Sequence, residues 1–269
     1  MDILKPKGVL DNVYYYSLVA RKCRNFLKDR ELAVKVYLPG GIRLMGRASK
    51  LGPLYADNLI NAVDENFLEL RVKNHLRQVK EKLSEEQIKV WSYFFPRKLC
   101  EFHYAVNHEG SGKSLDRVYF DIDRSNQKKE DALKVAKKLE NLIRKDFSKK
   151  TLILWTGNSF HVYAFFKKSP SSFYTDNFSG KDSLTSKWAK EIDENLKINV
   201  VAGHERKRGK IIIDPSQSPS GKIGRVPYSL HISKNKIDGV GYVVGNENIN
   251  FLESLTAEKI IKEKLIKKI

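Results

Sequence analysis

Two hydrophobic periods alternate along this chain, and they divide it into helices and strands. Over residues 129–146 the apolar positions Leu133, Val135, Ala136, Leu139, Leu142 and Ile143 fall on one broad helical face. Leu184, Trp188, Ile192 and Leu196 do the same over 182–197. DNVYYYSLVARKCRNFLK (11–28) reads as a basic amphipathic helix, and 73–95 as another, with Leu76, Val79, Leu83, Ile88 and Trp91 inward. The lysine-rich SLTAEKIIKEKLIKKI reads as a helix at the end of the sequence. Period-two patterns predict strands in ELAVKVYLPGGIRLMG, on either side of Pro39-Gly40-Gly41, and near FLELRV within 55–72. KLCEFHYAV (98–106), RVYFDID, TLILWTG, SFHVYAFF, GKIIID and RVPYSLHIS continue the series, with HEGSGKSL and SPSSFYTDNFSG as polar loops. The fold class is mixed α/β (α+β), with an N-terminal α/β lobe over 1–95 and a second lobe over 96–269. There is no internal repeat and no Rossmann or P-loop glycine pattern.

Strand alternation then sorts the polar residues by face. In VYFDID, Val118, Phe120 and Ile122 share one face; Tyr119, Asp121 and Asp123 share the other. Asp121 and Asp123 lie about 6.5–7 Å apart by strand rise. Two ionised carboxylates that close repel one another, and a divalent cation held by their oxygens relieves this. RVPYSLHIS puts Arg225, Ser229 and His231 opposite Val226, Tyr228, Leu230 and Ile232; its polar face carries donors suited to phosphate oxygens. KLCEFHYAV puts Glu101 and His103 opposite Cys100, Phe102 and Tyr104, and SFHVYAFF turns His161 away from Phe160, Val162, Ala164 and Phe166. Any one of these strands is compatible with an ordinary solvated face. Three acids (Asp214 closes the run IIID) together with several phosphate-type donors are not so readily explained.

Charge sharpens the reading. In 269 residues, 50 Lys and Arg stand against 32 Asp and Glu, a net charge of +18, and such a field attracts polyanions, nucleic acid first among them. No window has the roughly 18 or more apolar residues of a membrane span, and MDILKPKGVLDN has no apolar signal core. A cytoplasmic, nucleoid-associated protein with no membrane partner is expected. Cys23 and Cys100 build no disulfide framework, and Cys100, His103 and His108 lack the fourth ligand of a structural zinc site.

These residues resemble the motifs of the archaeo-eukaryotic primase superfamily of primase-polymerases. VYFDID looks like its acidic strand, TGNSFHVY (156–163) is similar to its S-G-x-G-x-H nucleotide motif, and IIID followed by RVPYSLH looks like its last metal acid and triphosphate strand. The likeness spans about residues 98–235, and the first 95 match loosely. DPSQSPSGKIGRVPYSL lines up on the polymerase domain of end-joining multifunctional DNA ligases, with Gln217 following Asp214, and EFH (101–103) is similar to that group's E-x-H. R-x-P-x-S-L-H at 225–231 equally resembles the small catalytic subunit of replicative primase, and the ligase group usually has Arg where this chain has His231. Thr156 replaces the usual Ser, and the loop from Gly157 to His161 lacks the frequent basic residue.

The resemblance implies a two-lobed fold whose lobes form one catalytic unit, with an RRM-like catalytic sheet packed by helices. It implies template-dependent nucleotidyl transfer with two Mg²⁺ or Mn²⁺ ions on Asp121, Asp123 and Asp214. Thr156, Gly157, His161, Gln217, Arg225, Ser229 and His231 would bind the nucleotide, with His103 and Lys207 in the same pocket. Single-stranded or primed DNA template, nucleoside triphosphates, and replication, repair or CRISPR proteins are the implied partners. Three alternatives stand beside a primase-polymerase. One is a gap-filling end-joining repair polymerase of the same family. Another is a non-catalytic nucleic-acid-binding protein, which would present aromatics rather than acids on its sheet. The third is a metal nuclease, which gives no reason for the donors of 225–231.

Overall fold

The computed structural model describes residues 2–47, 50–107, 114–219 and 221–269. The chain divides into two units: Met1–Tyr104 with Arg225–Gly241 and Leu255–Ile269, and Ala105–Gly224 with Tyr242–Ser254. In chain order the elements are α1 (Val13–Lys22), β1 (Leu32–Tyr37), β2 (Arg43–Gly46), α2 (Ala56–Ala62), α3 (Glu65–Lys73), α4 (Leu76–Val79), α5 (Glu85–Tyr93), β3 (Leu99–Ala105), β4 (Leu115–Asp123), α6 (Lys129–Asp146), β5 (Thr151–Trp155), β6 (Phe160–Ser169), α7 (Ser172–Phe178), α8 (Leu184–Leu196), β7 (Val200–Ala202), β8 (Ile211–Asp214), β9 (Ile223–Arg225), β10 (Leu230–Ser233), β11 (Lys236–Val240), β12 (Tyr242–Val244), α9 (Ile249–Glu253) and α10 (Ala257–Lys262).

The first unit is built on a sheet of order β2-β1-β3-β9 and on the β10-β11 hairpin. β1 runs antiparallel to β3 with Leu32, Val34 and Val36 opposite Tyr104, Phe102 and Cys100, all buried. Helix α1 closes this core with aromatic rings that keep their hydroxyls satisfied. Tyr16 donates to the Cys100 carbonyl at 2.6 Å and Tyr15 to the Tyr228 carbonyl at 2.7 Å. These two tyrosines are therefore core residues.

Several elements depart from the periodicity. FLELRV is helical, lying in α3, because Asp64 caps it by accepting from the Phe67 amide and because Phe67 and Arg71, one turn apart, are its buried residues. The apolar positions 67, 68, 70 and 72 suit both periods, and the cap decides between them. The stretch 73–95 is broken into α4, a short 3₁₀ turn and α5, with Ser84 capping the last through the Gln87 amide. The N-terminal helix stops at Lys22 and the final one at Lys262. At that end Lys264 takes a positive φ of 54° and Leu265 turns its amide back to the Ile260 carbonyl.

RVPYSLHIS is two strands rather than one. β9 ends at Arg225 in the β3 sheet, β10 begins at Leu230 beside β11, and Tyr228 turns the chain with φ 65°. The buried Tyr228 is anchored at both ends: its carbonyl accepts from Tyr15 and its hydroxyl accepts from the Lys267 amide at 2.9 Å. Val226, Tyr228, Leu230 and Ile232 are all buried, so the pattern is one of burial without a continuous strand behind it.

The second unit is a six-stranded sheet of order β12-β5-β6-β4-β8-β7, antiparallel except for β7 with β8. Helices α6 and α8 are amphipathic, as their spacing predicts. Phe120 of β4 meets Trp188 of α8 edge-on at 5.8 Å and Phe178 of α7 at 5.7 Å. The Trp188 indole donates to Asp146 Oδ2 at 2.9 Å, tying α8 to the end of α6. SPSSFYTDNFSG is not all loop: it holds α7, whose Phe178 is buried against Phe147 at 5.1 Å. Most of the HEGSGKSL loop, including His108 of the zinc set, lies outside the described residues. Among the described residues no helix is long and apolar enough to cross a membrane.

Candidate active site

In the second unit β4 is the middle of three strands whose register gathers the candidate residues. Asp121 lies opposite His161 of β6 on one side and opposite Asp214 of β8 on the other. Directly opposed residues of an antiparallel pair have Cβ atoms about 4.5–5.5 Å apart. His161 Nε2 is 3.5 Å from Asp121 Oδ1. The imidazole is nearly buried, its ring tilted against Tyr119 at 4.7 Å, while the Asp121 side chain keeps 41% of its surface open. Like charges directly opposite in a sheet are destabilising, so Asp121 facing Asp214 points to a cation as the third party.

The other acids are tethered. Asp123 Oδ1 accepts from the Ser125 amide at 2.9 Å, and its Oδ2 accepts from Arg206 Nε at 2.5 Å. Asp214 Oδ1 accepts from the Ser216 amide at 2.8 Å. With these tethers, no three His, Cys, Asp or Glu side chains among the described residues converge on a single metal position. The donor set is nonetheless right for a hard divalent ion: carboxylate oxygens only, from two adjacent strands, on one face.

Thr156 and Gly157 form the β5–β6 turn. The Thr156 hydroxyl donates to the Ser159 carbonyl at 3.1 Å and accepts from the Ser159 amide at 3.2 Å, and Gly157 takes φ 99°, where a side chain would be strained. The basic residue that this turn lacks has a counterpart next door. Arg124 grips the turn through Asn158 O at 3.1 Å and Asn158 Oδ1 at 3.0 Å, and reaches the Gln127 carbonyl at 2.7 Å. Gln217 sits in a segment pinned to β4, where Ser218 Oγ both accepts from and donates to the Tyr119 backbone at 3.0 Å. Lys207 is exposed beside Arg206. Beside Asp214 opens a hollow of about 330 Å³ whose lining includes Tyr174, Phe178, Lys181, Ser183 and His204. Burial and the Asp214 charge push the Tyr174 hydroxyl up to about 12, so it enters the hollow as a neutral donor.

In the first unit the phosphate-type donors are organised around a buried carboxylate. Glu101, 1% exposed, is 3.2 Å from Arg225 Nη2, 3.4 Å from His103 Nε2 and 3.5 Å from Lys35 Nζ, and accepts from the Ile232 amide at 3.0 Å. Lys35 is its cross-strand partner. Burial alone would raise the Glu101 carboxyl, but the His103 hydrogen bond, Arg225 and the Ile232 amide together hold it well below the usual carboxylate range. His103 is pushed down, by burial first and by the neighbouring cations Arg225 and Lys35, against the pull of Glu101. Arg225 is fixed further by donating to the Leu230 carbonyl at 2.8 Å. Ser229 is fully buried; its hydroxyl accepts from the Phe102 amide at 2.7 Å and donates to the Leu230 carbonyl at 3.3 Å, so its oxygen is spent on the backbone.

A depressed carboxylate contributes stability above its unfolded value, and this is lost as pH falls through the folded one. Glu101→Gln is therefore expected to cost roughly 3 kcal/mol at neutral pH, the scale of breaking a buried pair. The deficit should shrink steadily below about pH 4. Urea melts of both proteins across pH check this; a deficit that does not depend on pH would show that the ion cluster is not its source.

Strand alternation singles out Glu101 as a polar-face residue but not as the centre of the cluster, and it passes over Arg124 and Arg206. Arg124 directly follows D-I-D and Arg206 lies in the basic run HERKRGK, so both were within reach of a reading that followed charge beyond the strand ends.

A family model described as LigD, primase-polymerase domain, matches residues 10–236. Among solved structures, the polymerase domain from Mycobacterium tuberculosis Ligase D in complex with DNA is similar in fold. Its TM-score is 0.58 at 16% identity, over 98% of this chain and 95% of that one. No curated protein matches.

Proposed function

We propose, for a chain that belongs to the LigD primase-polymerase domain family, a template-dependent nucleotidyltransferase that extends primed DNA ends in strand-break repair. The observation that carries this reading is the register placing Asp121 between Asp214 and His161 on three neighbouring strands. A binding sheet has no use for two opposed carboxylates, which would repel phosphate.

Asp121, Asp123 and Asp214 would hold Mg²⁺ or Mn²⁺. Bound there, such ions supply the positive charge that lowers the pKa of an attacking 3′-hydroxyl and balances the triphosphate. The chain's own groups do the rest. His161 braces Asp121. Arg225, held rigid by Glu101 and the Leu230 carbonyl, presents a guanidinium to phosphate oxygens, with His103 and His231 as further donors. Gln217 and the Thr156–Gly157 turn border the acids. Lys207 and the rest of HERKRGK follow the template backbone, where their charge acts without sequence preference.

The test is incubation with primed and unprimed template, labelled nucleotides and Mn²⁺. Extension of the primer supports the reading. Products made without a primer move it toward a primase, shortening toward a nuclease, and a mobility shift alone toward a binder. Arg225→Ala is expected to raise the nucleotide KM by roughly tenfold or more, as loss of a charge-assisted phosphate contact should. Unchanged steady-state kinetics would remove Arg225 from the site.

A further inference from the structure

His231 does not stand alone. It lies on β10 opposite Gly239 of β11, a residue with no side chain to cover the imidazole. The register then slips: Ile232 pairs with Ile237, so Asp238 is an extra residue in β11. A bulge of this kind re-aims a side chain, and here the Asp238 carboxylate meets His231 Nδ1 at 2.5 Å. A carboxylate only accepts, so Nδ1 carries the hydrogen and Nε2 is the nitrogen left to face a ligand.

We propose that Asp238 is a positioning residue that turns His231 into a proton-dependent phosphate donor, so that this protein binds nucleoside triphosphate more tightly as pH falls. This rests on the reading above that His231 contacts the nucleotide. With Nδ1–H committed to Asp238, a neutral imidazole offers phosphate only a lone pair, which repels it. The imidazolium offers Nε2–H with a positive charge, held in one orientation by the Asp238 carboxylate. A guanidinium at this position would be charged at every relevant pH; an imidazole changes charge in the physiological range.

The charged neighbours do not duplicate this device. Arg225 bonds the Leu230 carbonyl and Glu101 takes the Ile232 amide, flanking His231 along β10. Lys35 and His103 are both drawn to Glu101, and Lys236 lies across from Ser233 at the hairpin end. Of these, His103 is the other imidazole, and burial together with Arg225 and Lys35 pushes it down; the experiment separates the two histidines.

A non-hydrolysable ribonucleoside triphosphate with Mg²⁺ is titrated against wild type, His231→Ala, His231→Arg and Asp238→Asn between about pH 6 and 8.5. Wild-type affinity is expected to weaken roughly tenfold across that range. His231→Arg should bind with little pH dependence. Asp238→Asn keeps an oxygen for Nδ1–H but loses the charge that holds the ring in place, and it should bind less tightly than wild type at low pH. Nitrogen-15 spectra of the free protein, which need no nucleotide site, should show His231 protonated on Nδ1 in its neutral form. Asp238→Asn binding identical to wild type at every pH, pH dependence that survives in His231→Arg, or an Nε2-protonated neutral form would each overturn the inference. His231→Ala binding as wild type does at every pH would instead overturn the placement of His231 at the nucleotide.

Discussion

Asp121→Asn is expected to reduce nucleotide incorporation by on the order of 10³-fold or more while the fold stays intact. The change is isosteric and falls on the carboxylate that the register sets between Asp214 and His161. It removes one charged oxygen donor from a metal site and leaves every strand contact in place. The same substitution should slightly stabilise the metal-free protein, by about 0.2–1 kcal/mol, because the neutral amide no longer opposes Asp214. Wild type should gain thermal stability from added Mn²⁺, and Asp121→Asn should gain much less. Single-turnover extension and thermal melts with and without Mn²⁺ measure both sides. A mutant that extends primers at the wild-type rate ends the mechanism. One that is inactive and also poorly folded is set apart by its melt.

The largest stability effect is expected at Arg71→Leu. Its guanidinium is fully buried and grips Asp11 in two places, Nε to Oδ2 at 2.7 Å and Nη2 to Oδ1 at 3.1 Å, and donates to the Phe94 carbonyl at 2.6 Å. The rings of Phe67 and Trp91 lie 5.3 and 5.1 Å from its centre. Removing it strands a carboxylate and a carbonyl in the core. The cost should be about 3–5 kcal/mol, a large share of the total stability of a chain this size. Asp11→Leu added to Arg71→Leu should recover part of the loss, since two apolar groups leave no orphaned charge. Urea midpoints with unchanged slopes would record this, and a loss below about 1 kcal/mol for the single mutant would show that water reaches the pair.

Much of the site was legible because strand alternation depends on backbone geometry that sequence alone controls. VYFDID is a strand with the faces expected of it, and α6 spans 129–146 as its apolar stripe predicts. What misled was any pattern that two structures satisfy. FLELRV alternates like a strand yet is helical through the Asp64 cap. RVPYSLHIS alternates in burial yet is cut by the turn at Tyr228, which only the distant partners Tyr15 and Lys267 explain. Alternation alone makes Ser229 a phosphate donor, because polar residues in strands usually face water; here the Phe102 amide claims it.

The sequence alone determined the chemistry available: three carboxylates, a set of histidines and arginines, a basic field and a mixed α/β pattern. These are properties of residue type and local period. Tertiary structure decided which groups act together, because register and bulges are set by pairing between segments far apart in the chain. It placed Asp214 and His161 on either side of Asp121, turned Asp123 toward Arg206, centred Lys35, His103 and Arg225 on Glu101, and brought Asp238 to His231. A carboxylate's role follows from the charge it faces, and that is fixed only when the strands have met.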